Sequence, residues 1–97
     1  MDTKSTIAEG HFVLEERYRR WKETYLPTGD TTSAYSLVQQ LEVLSDERLK
    51  TAHKAAMTGL FAEKLLAHIR PIGIFRYVTG LTTTLLFERG LNHEDTS

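Results

Sequence analysis

Between Arg76 and Glu88 the chain runs for eleven residues, Tyr77 to Phe87, without one charged side chain. A helix that is uncharged on every side is normally covered on every side. A chain of 97 residues buries roughly 60–65% of the surface its unfolded form exposes, which is one core and little more. That core has room for one enclosed helix, and residues 46–70, with apolar positions on two sides, claim the place. The uncharged run is therefore expected to pair with a second copy or to cover a partner. Threonines at 79, 82, 83 and 84 leave a plainer alternative, a compact monomer with a Thr-rich solvent face.

The period of the run is helical. Ile74, Val78, Leu81 and Leu85 recur at three- and four-residue steps, with Phe75, Thr82 and Leu86 beside them. Pro71 suits a first helical turn, where its missing N–H costs nothing. Gly90 suits the left-handed residue after the helix, and Leu91 the apolar contact that closes it. These signals predict a helix over 72–89. A competing α+β reading makes 72–87 a hairpin, because both arms are rich in β-branched and aromatic residues around Thr79-Gly80. Imperfect alternation on each arm favours the helix.

Three more helices are expected upstream. Ile7, His11, Leu14, Tyr18, Trp21 and Tyr25 follow a 4-3-4-3-4 spacing that places six groups on one stripe of a helix over 7–25. Its other faces offer Glu15/Arg19, Glu16/Arg20 and Arg19/Glu23 as ion pairs. Leu26-Pro27-Thr28-Gly29-Asp30 stops it in a turn. The capping run Asp30 to Ser33 then opens a helix over 32–44, carrying Ala34, Leu37, Val38, Leu41 and Leu44. Ser45-Asp46-Glu47 starts the longest one, 46–70, after a very short connection. Ala52, Ala55, Ala56, Gly59 and Ala62 cluster on one side of it, where a neighbouring backbone can come close. Residues 1–6 read as a polar, frayed N-terminus and 92–97 as a disordered tail.

Composition removes several classes of function. Twelve Lys+Arg against thirteen Asp+Glu give a net charge of −1, so no global field draws the chain to nucleic acid or an anionic bilayer. Without cysteine there is no disulfide scaffold, thiol nucleophile or Cys-ligated zinc. No signal peptide or membrane span is read, and a cytoplasmic setting is expected. The histidines at 11, 53, 68 and 93 lack the i,i+3 or i,i+4 spacing that aims two ligands at one metal ion. His53 and His68 would stand about 22 Å apart along one helix. Ser33, Ser36 and Ser45 sit in capping contexts, no glycine pattern cradles phosphate, and Glu63-Lys64 point about 100° apart. No catalytic residue, metal site or cofactor is expected. The enzymatic or ligand-carrying alternative needs an inward cluster such as His53 with Glu63 or His68 around a cavity.

The segment Arg17-Tyr18-Arg19-Arg20-Trp21-Lys22 carries a nucleic-acid alternative, with Arg17, Arg19, Arg20 and Lys22 on phosphates. Glu15, Glu16 and Glu23 cancel most of its charge, and Tyr18 and Trp21 lie on the apolar stripe. The link before Asp46 also lacks a helix-turn-helix glycine turn. An ion-paired solvent face is the preferred reading.

His53, Met57, Leu60 and Pro71, with Met57-Thr58-Gly59-Leu60 leading into a long helix, resemble the C-terminal helix of TraM-type quorum-sensing antiactivators. The likeness covers about a fifth of the chain, and this chain departs from it by continuing for some twenty largely apolar residues past Pro71. It implies a small all-helical cytoplasmic dimer that binds a LuxR-type transcription factor and blocks its action. Taken together, the expectation is a single all-α domain over 1–97 of about four helices, homodimeric and non-catalytic. It would act by occluding a surface of a partner protein, such as a transcription regulator. Tyr18, Trp21, Met57, Phe61 and Phe75 are the candidate anchors, because aromatic and Met side chains bring large contact area at little ordering cost. The bland assignment for each of the five is the core.

Overall fold

The computed structural model describes residues 3–28, 33–65 and 73–91, with side chains of the first helix from Val13 onward. Within these residues the chain forms four α-helices and no strand: α1 (Thr3–Tyr25), α2 (Ala34–Glu42), α3 (Asp46–Leu65) and α4 (Ile74–Glu88). The all-α expectation holds, and the 72–87 hairpin is overturned. Thr79-Gly80, which sequence reading could place in a turn, lies in the middle of α4. Two of its threonines satisfy themselves inside the helix: Thr82 Oγ1 donates to the Val78 carbonyl at 3.1 Å and Thr84 Oγ1 to that of Gly80 at 3.0 Å. Phe75, Val78, Thr82 and Leu86 are buried on one side, so packing overrides the β preference of their neighbours.

The first two helices differ from expectation in their bounds. α1 begins at Thr3 rather than Ile7, because a helix once nucleated extends through polar residues with no core to fill. The middle of the expected 32–44 helix is helical only from Ala34 to Glu42. Ser33 is its N-cap, accepting from the Ser36 N–H at 3.2 Å, and a turn from Leu44 N–H to the Leu41 carbonyl ends it. The stripe positions Ile7 and His11 fall within α1 but ahead of the side chains that are described, and the alternative caps 30–32, residues 66–70, His68, Pro71, Ile72 and the tail 92–97 with His93 lie outside the described residues.

The helix ends are secured by identifiable groups. Ser45 Oγ accepts from the Arg48 N–H at 3.2 Å and so caps α3. At the end of α4, Gly90 has φ +74°, its N–H reaches the Phe87 carbonyl, and the Leu91 N–H reaches that of Leu86 at 2.9 Å. This is the glycine stop read from the sequence, with Leu91 folded back on the core. Two arginines join separate helices. Arg48 donates to the Thr24 carbonyl at the end of α1 at 2.9 Å. Arg89 pairs with Asp46 at 3.0 Å and donates to the Glu42 carbonyl at 2.8 Å, tying the ends of α2 and α4 to the start of α3. Arg89→Ala removes both bonds and is expected to cost about 1–2 kcal/mol, read as a lower urea midpoint with an unchanged slope.

α3 is the central element, packed against α4 and α1, while α2 lies on α4. Its small residues do what their clustering suggested: Ala52, Ala56 and Gly59 are buried. Over Ala52 comes Trp21 of α1, whose indole N–H donates to the Ala52 carbonyl at 3.1 Å. The ring of Phe75 from α4 lies over Gly59 and meets the Tyr18 ring in a T-shaped arrangement at a centroid distance of 6.0 Å. Leu37 and Leu41 of α2 complete the core with Leu26, Leu44, Leu49, Val78 and Leu86.

Gly80 behaves differently from Gly59. It is exposed in the middle of α4, and a Cβ added there meets nothing within 4 Å. Gly80→Ala should therefore stabilise the monomer by about 0.5–1 kcal/mol through helix propensity alone, measured by thermal melting at low protein concentration.

Candidate interaction surface

The five anchor candidates divide cleanly. Trp21 and Phe75 are buried and Tyr18 is half-buried, and the three rings form one cluster: Tyr18 stacks on Trp21 at 6.0 Å and meets Phe75 edge-on at 6.0 Å. They are core residues, with little surface left to present. Met57 and Phe61 are 48% and 65% exposed. One turn further along α3, Leu65 is also exposed. Met57, Phe61 and Leu65 thus form an i, i+4, i+8 ridge on the outer side of α3, bordered by exposed Lys54, Thr58 and Lys64.

By spacing Leu65 shares the apolar surface of Met57 and Phe61 but was not among the candidate anchors, because helix periodicity alone does not say which of the two apolar sides of α3 faces outward. Of α4 only Phe75 was a candidate anchor, and it is buried. Tyr77 and Phe87 are exposed there, Phe87 to 83%. The uncharged run is accordingly not covered all round by its own chain. It buries one side and leaves the other in water.

The basic segment is largely occupied. Arg19 is hydrogen-bonded to Glu16, and Arg20 Nε stands 3.9 Å from the same carboxylate. The hydrogen bond first, and the charge of Glu16 second, raise the pKa of Arg19 above its ordinary value. Lys22 Nζ lies 5.9 Å from the centre of the Tyr18 ring. Of the pairs proposed from spacing Glu16/Arg20 is present, and Glu16 also takes Arg19 in an i,i+3 pair that the spacing had not proposed. Arg17 and Arg20 border an open cleft of about 270 Å³ between α1 and α3, with Trp21, Tyr25, Gly59 and Phe75 among its lining. Among the described residues that line it there is no carboxylate or histidine.

The buried polar groups serve the fold. His53 Nδ1 is 2.8 Å from Thr82 Oγ1. The same hydroxyl lies within hydrogen-bonding distance of the Val78 and Thr79 carbonyls, so the contact ties α3 to the backbone of α4. Glu63 is buried and accepts from the N–H groups of Gly73, at 3.1 Å, and Phe75. The His53–Glu63 cluster required by an enzymatic reading is not assembled: ten residues separate them along α3, about 15 Å, and each is committed to a different part of α4. Among the described residues no group of three or more His, Asp or Glu is arranged to hold a metal ion, and no helix is long and apolar enough to cross a membrane.

Comparison with protein families, characterised proteins and solved structures returned no match. The likeness to TraM-type antiactivators therefore rests on His53, Met57, Leu60 and Pro71. Of these His53 is buried, Leu60 half-buried and Met57 exposed, while Pro71 lies outside the described residues.

Proposed function

We propose that the protein is a non-catalytic, cytoplasmic binding module that docks the α3 ridge on a partner protein and hides a functional surface of it. The observation that carries this reading is the outward display of Met57, Phe61 and Leu65 at helical spacing, on a helix whose opposite side is fully used by the core. Helices that dock in grooves present anchors at just this spacing, and Met and Phe supply large area with few torsions to freeze. Lys54 and Lys64 at the ridge's border favour a groove with an acidic rim. The likeness around Met57 makes a transcription regulator the class of partner to try first.

Phe61→Glu tests the proposal. The side chain is exposed, so stability should change by no more than about 0.5 kcal/mol. Capture of a defined partner from lysate should fall at least about tenfold, since a charge is placed where an apolar anchor was. Capture unchanged by Phe61→Glu would remove the ridge from the function. Binding to RNA or DNA that weakens steeply with salt would transfer it to Arg17, Arg20 and their neighbours.

A further inference from the structure

The exposed side of α4 is self-complementary about its midpoint. Its outward residues are Arg76, Tyr77, Gly80, Thr84, Phe87 and Glu88. Measured from Thr82, Gly80 and Thr84 lie two residues to either side, Tyr77 and Phe87 five, and Arg76 and Glu88 six. A two-fold interface between identical helices needs this kind of order, because residue i of one copy must suit residue j of the other and the reverse. We propose that two copies of the chain associate through antiparallel α4 helices, with Tyr77 of each beside Phe87 of the other and Gly80 beside Thr84. The proposal is independent of the α3 ridge.

Each layer of the seam fits that occupant. The 3-4-3 spacing of Tyr77, Gly80, Thr84 and Phe87 matches the alternating seam positions of two coiled helices, which in antiparallel pairs meet crosswise. In the centre, Gly80 has open space above it and Thr84 is small, so the two backbones can approach closely. The Thr84 hydroxyl already donates to the Gly80 carbonyl, so covering it strands no donor. At the ends, one tyrosine and one phenylalanine fill the wider gap that a close central crossing leaves.

Charge selects the direction. Arg76 stands at the start of α4 and Glu88 at its end, both exposed, and neither has an ion-pair partner among the described residues. Antiparallel pairing brings Arg76 of one copy level with Glu88 of the other at both ends. Parallel pairing would place like charges together. The helix dipoles also favour the antiparallel arrangement. The presence of glycine at 80 follows too: the monomer gains nothing from it, whereas any larger residue would hold the two helices apart.

From Tyr77 to Phe87 the seam is about 15 Å long, so the contact falls at the small end of specific interfaces and the dimer should be of micromolar affinity. Sedimentation over roughly 5–500 μM protein should show the mass rising from 11.1 kDa toward twice that value. Gly80→Arg fills open space in the monomer and should leave its melting temperature unchanged or higher at low concentration, while weakening dimerisation at least about tenfold. A wild-type chain that stays monomeric throughout, or a dimer indifferent to Gly80→Arg, overturns the proposal. Register is read separately, because the chain has no cysteine of its own. Gly80→Cys and Thr84→Cys proteins are mixed in equal amounts, oxidised and weighed by mass spectrometry. Mixed disulfides should exceed the roughly one half that random pairing yields, since like positions are offset by about 6 Å along the seam. An excess of like-with-like disulfides overturns the antiparallel register.

Discussion

Gly59→Ala is expected to lower stability by about 2 kcal/mol, although alanine is the better helix former. The added Cβ would lie 2.5 Å from Cγ and Cε1 of Phe75, more than an ångström inside the separation at which carbon atoms attract. Phe75 has no easy retreat. It is buried, its ring stands T-shaped against that of Tyr18, and its own N–H is bonded to Glu63. Relief must come from moving α4 away from α3, which places the cost near the upper end for overpacked cores, about 3 kcal/mol. Helix propensity returns about 1 kcal/mol. For a domain of this size the net loss corresponds to a fall in melting temperature of roughly 8–16 °C. Phe75→Leu should rescue part of it, so that the double variant loses less than the two single losses combined, with a coupling of about 1–2 kcal/mol. Strict additivity would show that the ring does not seat on Gly59. The contrast with Gly80→Ala is the internal control, since the same change in the same residue type, one helix away, carries the opposite sign.

That contrast also marks how far the sequence can be read. Helix number, the Ser45 start, the Gly90–Leu91 stop and the small side of α3 were legible, because each is decided by local backbone chemistry or by periodicity along one segment. The orientation of α3 was not. Its apolar positions cover two sides, and only the arrival of Trp21 at Ala52 and Phe75 at Gly59 determines which side is core and which leaves Met57 and Phe61 in water. Trp21 and Phe75 were indistinguishable from Met57 and Phe61 as anchors for the same reason: size and polarity are alike, and the difference lies in long-range contacts. His53 and Glu63 show the limit from the other direction. Each has its partner on α4, His53 twenty-nine residues away and Glu63 ten and twelve residues away, beyond any spacing rule that applies within a helix.

The two exposed apolar surfaces follow from how little core a chain of this length can enclose. α3 and α4 each turn one side to the other, α1 takes the second flank of α3, and α2 lies mainly on α4. No fifth element is present among the described residues to cover Met57–Phe61–Leu65 or Tyr77–Phe87. Their chemistry nevertheless differs. The α3 ridge is bordered by lysines and has no internal symmetry, which suits a different protein. The α4 stripe has opposite charges at its two ends around a small centre, which suits its own copy. One surface for self-association and another for a partner would give a dimer presenting two equivalent ridges, and linked sites of that kind gain avidity toward a dimeric target.

Replacing Glu63 should produce the second large loss, about 3 kcal/mol for Glu63→Ala. The N-cap of α4 is Gly73, which adopts φ +83° and has no side chain with which to cap the helix. The missing acceptor comes from α3: the Glu63 carboxylate receives the N–H groups of Gly73 and Phe75 and lies where the helix dipole favours a negative charge. Hydrogen bonds to a charged group contribute about 1.5–3 kcal/mol each, and removing their acceptor leaves the buried Phe75 N–H unpaired. Part of that gross value is offset by the desolvation that the carboxylate no longer suffers. Glu63→Gln separates charge from shape. Its single carbonyl oxygen can keep one of the two bonds while its amide N–H₂ faces the other donor, so its loss should be about 2 kcal/mol. Denaturant unfolding measures both losses, and amide exchange locates them: the Phe75 amide should lose protection in both variants before residues in the middle of α3 do. Equal stabilities for wild type and Glu63→Ala would mean that α4 starts without this cap. In that case the seating of Phe75 on Gly59, rather than the carboxylate, would hold the start of α4 against α3.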